Sequence, residues 1–329
     1  MVSQLVDKLQ KGDRRALAQL CTLMERDAEE LPAIMRAVYP HAGKAYCIGV
    51  TGPPGAGKST VVDGLVRILR GQESTVGVLA VDPTSPITGG AVLGDRIRMQ
   101  HHYLDDGVFI RSLATRGVHG GLSRVARASV VLLDAFGKDV IIVETVGVGQ
   151  TELDIMGVAD TVVVVLAPEA GDAVQVMKAG LMEIADVFVV NKADRPGANR
   201  LVAAIKATLR LDSSKTWWRP PVLSAEAHKG QGIQDLHDTI AEHRLAMEEG
   251  SYLEQRRLRR QRQQFAQSLT EALEANIARL MSQDSGLSEL AEQVEKGELD
   301  PYSAAAQALE DDRLFDKLAR ALKKEWGEQ

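Results

Sequence analysis

Cysteine is nearly missing from this chain: 329 residues hold two, Cys21 and Cys47. Two distant thiols without a second pair give neither a disulfide framework nor a metal knuckle, and they fit a reducing compartment. An excess of basic residues is also missing. Against 39 Lys and Arg stand 45 Asp and Glu, for a formal charge of −6, which argues against nucleic acid as a partner. No apolar run reaches membrane-spanning length, and the opening "MVSQLVDKLQKGDRR" has no apolar signal region, so a cytoplasmic protein with no membrane partner is expected. No internal repeat or low-complexity tract is visible. What is present is 45% apolar residues, enough for one large core with appendages.

The chain falls into three zones. Residues 1–42 read as a helical N-terminal extension, with Leu and Ala at three- and four-residue spacing and Asp13 as an N-cap. Residues 43–250 alternate helical stretches with seven β-rich runs: "YCIGVTG", "TVGVLAVD", "GVFIRSLA", "DVIIVETVG", "TVVVVLAP", "VFVVNKAD" and "PVLSA". Continuous Val/Ile runs suit parallel strands covered on both faces. The alternation predicts an α/β fold, a doubly wound and mostly parallel sheet with ligands at the strands' carboxyl ends. Residues 251–329 are again helical, with Asp300-Pro301 ending one helix and starting another. The five arginines from Arg256 to Arg262 read as a helix face paired with nearby acids rather than a nucleic-acid patch.

Between the first strand and the next helix stands Gly52-Pro53-Pro54-Gly55-Ala56-Gly57-Lys58-Ser59, followed by Thr60. It satisfies G-x-x-x-x-G-K-[ST] in the strand–helix context that motif requires. Its glycines let backbone N–H groups curl around phosphates, at the positive end of the following helix. Lys58 is expected to reach the β- and γ-phosphates and Ser59 to ligate Mg²⁺. The sixth strand ends in Asn191-Lys192-Ala193-Asp194, an N-K-x-D that fits guanine. A carboxylate accepts from the ring N1–H and the 2-amino group, whereas adenine would leave the buried carboxylate of Asp194 unpaired, at roughly 1–3 kcal/mol or more. Asn191 is expected to brace neighbouring loops, and the Lys192 stem to lie along the base. Ser224-Ala225 is placed for a backbone N–H to meet the guanine O6.

Three acids end or follow strands where loop tips gather. They are Asp82, Asp95 and Glu144, expected near Mg²⁺ and the attacking water. Glu144 opens an acidic-x-x-Gly segment whose Gly147 can turn its N–H to the γ-phosphate and release it on hydrolysis. The position after Gly147 holds Val148 instead of a water-orienting glutamine, and the nearest glutamine is Gln150. Slow intrinsic hydrolysis, accelerated by a partner, is therefore expected.

In this order, "VTGPPGAGKST", "VDPTSPITGGAVLGDRIRM", "VETVGVGQTE", "AGDAVQVMKAGLMEIAD" and "VVNKAD" resemble the MeaB/ArgK family of SIMIBI-class GTPases. The resemblance is close over about residues 40–230. It implies a GTPase chaperone for an adenosylcobalamin-dependent acyl-CoA mutase, one that gates cofactor delivery from an adenosyltransferase and protects or rescues the mutase. It also implies a homodimer with a C-terminal dimerisation arm. It assigns Lys58, Asp82, Asp95 and Glu144 to hydrolysis and Mg²⁺ binding, and residues 169–178 to an additional switch loop. That loop reads "GDAVQVMKAG", short of an acid and a lysine that members often carry. His119 reads as a loop side chain, not a cobalamin ligand.

Three other readings compete. A nickel or cobalt metallochaperone GTPase would need a thiolate and imidazole cluster, which Cys21, Cys47, His101 and His102 do not form by spacing. A protein-targeting GTPase would need a Met-rich binding module that the Arg/Gln-rich tail does not provide. An amino-acid transport kinase would have no use for a guanine-specific N-K-x-D.

Overall fold

The computed structural model describes residues 2–26, 30–82, 99–114, 124–145, 151–168, 180–211, 217–282 and 286–311, with 316 and 320, and for 82, 100, 114, 151 and 152 the backbone alone. The chain forms two compact units, Met1–Arg257 and Leu258–Gln329.

The first unit is built on the seven Val/Ile-rich runs. They form β1 (Tyr46–Thr51), β2 (Val76–Asp82), β3 (Val108–Ala114), β4 (Val140–Thr145), β5 (Thr161–Leu166), β6 (Val187–Asn191) and β7 (Val222–Ala225). They join in the order β3-β2-β4-β1-β5-β6-β7, and every pairing is parallel. Alternate residues of a strand face opposite sides, and here both sides are dry. Ile141, Val143, Val162, Val164, Phe188 and Val190 enter one apolar cluster. Their neighbours Ile142, Val163, Val165, Val187 and Val189 enter the other. That is why the strands read as unbroken apolar runs.

The N-terminal helices α1 (Val2–Gln10), α2 (Arg14–Arg26) and α3 (Glu30–Val38) bury Leu9, Leu17, Leu20 and Ile34 in the first cluster. Asp13 caps α2, its carboxylate accepting from the N–H groups of Arg15 at 2.8 Å and Ala16 at 3.2 Å. The same cluster takes residues of α5 (Arg124–Ala135) and α6 (Ala198–Leu211), and the second takes those of α4 (Lys58–Gly71) and α7 (Ile233–Glu249). The chain runs from β1 outward to β2 and β3, returns to β4, then crosses β1 to β5. This reversal opens the crevice at the carboxyl end of β1, where doubly wound sheets bind ligands.

The arginine run lies in α8 (Tyr252–Ser282), and its first two members pair with acids within the first unit. Arg256 lies 2.9 Å from Asp186, and Arg257 lies 2.6 Å from the buried Asp160. Within the second unit, α9 (Gly286–Glu295) precedes α10 (Pro301–Glu310). Asp300 caps α10 by accepting from Tyr302 and Ser303 N–H, so the Asp-Pro pair does start a helix. Among the described residues no helix is long and apolar enough to cross a membrane.

Candidate active site

The crevice begins where β1 ends. Gly52 has φ 135°, and a Cβ there would collide with the Val165 carbonyl of β5. Gly57 has φ 90°, and a Cβ there would collide with the Asn191 carboxamide. Both positions need glycine for conformation and for space. Between them Ala56 is fully buried, while Pro54 and Gly55 are exposed at the tip. Gly57 is the N-cap of α4, and no side chain among the described residues caps that helix. The positive end of a four-turn helix thus opens onto the cradle, an arrangement suited to phosphate. Lys58 is buried, and its Nζ donates to the carbonyls of Gly52 at 2.9 Å and Pro53 at 3.1 Å, spanning the loop.

Glu144 comes to this point through strand register. In the parallel pairing Val50 stands opposite Glu144, so a carboxylate on β4 reaches the first turn of α4. Ser59 Oγ donates to Glu144 Oε1 at 2.7 Å, and both side chains are buried. Behind them Thr145 Oγ1 donates to Thr51 Oγ1 at 2.8 Å, a strand-end pair with no motif in the sequence to mark it. A hydroxyl and a carboxylate meeting beside the glycine-rich turn form an all-oxygen donor set, which suits a hard cation such as Mg²⁺.

Asn191 closes β6. Its Nδ2 donates to Ala56 O at 2.9 Å, and its Oδ1 accepts from Ala227 N at 3.0 Å. One buried carboxamide therefore holds the phosphate loop to the loop after β7. Lys192 adopts φ 56° at the turn, and Ala193 N donates to Ala225 O at 3.0 Å. Ser224 is exposed and Ala225 is buried. Asp194 departs from expectation, because its carboxylate is exposed rather than buried. It sits past the strand end in the turn closed by Arg195 N and Lys192 O at 2.9 Å, outside the packed layer.

The loop after β7 supplies further charged groups that no motif in the sequence marks. Lys229 Nζ lies 2.6 Å from Glu226. The Glu226 carboxylate, and more weakly Asp194, hold that ammonium above its ordinary range. Gly230-Gln231-Gly232 turns the loop back so that Glu226 N donates to Gln231 O at 3.1 Å, and this glycine pair was the available signal. The side chain of Asp82 lies outside the described residues, as do Asp95, Gly147, His119 and residues 169–178.

The family model described as Methylmalonyl Co-A mutase-associated GTPase MeaB matches residues 17–282. The chain belongs to the MeaB family. A Pyrococcus abyssi relative is 48% identical over 315 residues, covering 94% of this chain and 97% of its own. The mouse mitochondrial methylmalonic aciduria type A homolog is 36% identical over 259 residues, 73% of this chain and 62% of that one. The solved structure of an LAO/AO transport system kinase matches with a TM-score of 0.68 at 27% identity, covering 94% of this chain and 96% of its own. As a MeaB-family member the chain is a P-loop GTPase that binds guanine nucleotide.

Proposed function

We propose that this MeaB-family GTPase is a chaperone for an adenosylcobalamin-dependent acyl-CoA mutase, gating cofactor loading and protecting or reactivating its client. The observation that carries the proposal is the match over residues 17–282 to a family described as mutase-associated. On this reading Gly52–Thr60 cradle the phosphates, Lys58 leaves the Gly52 and Pro53 carbonyls for the β- and γ-phosphates, and Asp194 reads the guanine edge with Asn191, Lys192, Ser224 and Ala225 around it. Ser59 would hold Mg²⁺, with Glu144, Asp82 and Asp95 around it. When bound, that ion neutralises charge on the phosphate oxygens. Glu144 hydrogen-bonds Ser59 and directly precedes the segment that ends at Gly147. A change in nucleotide therefore has a short covalent route into that segment, and residues 169–178 are proposed as a second switch.

The proposed assembly is a homodimer through residues 251–329 in the cytoplasm, with an adenosyltransferase as a further partner. The second unit is suited to such a contact, since Ile277, Met281 and Leu309 are exposed there. The test is the rate of phosphate release with and without purified candidate mutases. A several-fold stimulation by one mutase is expected. Equal rates with every adenosylcobalamin-dependent acyl-CoA mutase tried would contradict the chaperone role and leave the GTPase standing.

A further inference from the structure

On the face of α4 one turn beyond Ser59, Asp63 meets two histidines from the helical turn Gln100–His102. Asp63 Oδ1 lies 2.7 Å from His101 Nε2 and 3.0 Å from His102 Nε2. All three donor atoms fall within 4.8 Å of one another, and the two imidazoles stand 4.2 Å apart, tilted by 46°. Spacing alone gave these histidines no third ligand. The fold supplies one from 38 residues upstream of His101.

We propose that Asp63, His101 and His102 bind a first-row divalent transition cation of the Zn²⁺, Co²⁺ or Ni²⁺ class. Two imidazole nitrogens and one carboxylate oxygen are the donors such ions take, whereas Mg²⁺ and Ca²⁺ prefer oxygen alone. A tetrahedral ion with bonds near 2.0–2.1 Å keeps its ligand atoms about 3.3 Å apart, so the two Asp63–histidine separations of 2.7 and 3.0 Å need only small adjustment. The pocket is formed rather than accidental: the side chains of His102 and Asp63 are 7% and 16% exposed. Three protein ligands leave a fourth position for water or another ligand. The competitor is Arg67, whose guanidinium lies 3.0 Å from Asp63 and 3.1 Å from His101. Its side chain is 62% exposed, so it can swing into solvent when a cation enters. A bound ion would tie the stretch that follows Asp95 in sequence to the helix carrying Lys58 and Ser59. The site uses no residue assigned to the nucleotide or to a mutase, so it stands or falls separately from the proposed function.

The experiment is calorimetric titration of Zn²⁺, and absorption titration of Co²⁺, into the full-length, tag-free protein held in GDP and saturating Mg²⁺. Magnesium in excess keeps the added ion out of the nucleotide site. One equivalent is expected, with the strong visible bands of four-coordinate Co²⁺. The exposed His101 tolerates truncation, and His101→Ala weakens binding by about tenfold or more with GDP affinity unchanged. Arg67→Ala tightens it, because a competing positive charge is gone. No saturable binding, or an affinity that either substitution leaves unchanged, overturns the assignment.

Discussion

Ser59 Oγ and Glu144 Oε1 lie 2.7 Å apart, joining the first turn of α4 to the end of β4 through two buried side chains. Eighty-five residues separate them in sequence. Their contact follows from the parallel register that sets Val50 against Glu144. Glu144→Gln keeps the shape and removes the charge. GTP turnover is expected to fall about 10–100-fold, the scale of losing a group that orients a metal's ligands. Phosphate release at saturating GTP and Mg²⁺ measures it, and wild-type turnover would remove Glu144 from the site.

Asn191 is the second structural tie. Asn191→Ala deprives the buried carbonyl of Ala56 and the N–H of Ala227 of a partner at once. The expected cost is about 1–3 kcal/mol of stability, together with weaker nucleotide binding as the loop loosens. Urea unfolding of the nucleotide-free protein separates the two effects. An unchanged midpoint would show that the brace contributes nothing.

Asp194 tests the base reading. Asp194→Asn replaces an acceptor pair by a side chain that also donates, which suits the 2-oxo group of xanthosine triphosphate. Affinity for GTP is expected to drop by at least about tenfold and affinity for xanthosine triphosphate to rise. Competition binding against GTP, xanthosine triphosphate and ATP gives the answer, and unchanged discrimination would remove Asp194 from base recognition.

Cys21 gives a prediction in pH. Burial in the helical layer pushes its thiol from 9.0 up to about 12, against the pull of Arg111. Below pH 9 both folded and unfolded chains keep the proton, and this contribution to stability is complete. From pH 9 to about 12 the unfolded thiol ionises while the folded one does not, so stability falls as pH rises, by at most about 1.4 kcal/mol per pH unit. Cys21→Ala is expected to flatten that part of the curve, and native Cys21 to resist alkylation at pH 8. Rapid modification of the folded protein would contradict the burial argument.

Much of this architecture was legible because single local signals controlled it. Each strand announced itself as a Val/Ile run, since parallel strands are buried on both faces. The turn from Gly52 to Ser59 did so as well, since only glycine fits Gly52 and Gly57. Asp13 and Asp300 were readable as caps, because capping depends on residues two and three positions away. Contacts set by register were not readable. Nothing local in Asp63 points to His101 and His102, nor in Thr51 to Thr145. The exposure of Asp194 depends on a turn beyond the strand, where periodicity has no say.

A guanine nucleotide seated in the Gly52–Ser59 cradle is the central requirement, and calorimetry on the folded, nucleotide-free protein tests this directly. With Mg²⁺ present, saturable heat is expected for GTP and GDP at one site per chain, little or none for ATP, and a marked loss in Lys58→Ala. Absence of heat with both guanine nucleotides, or equal heats for GTP and ATP, would contradict it.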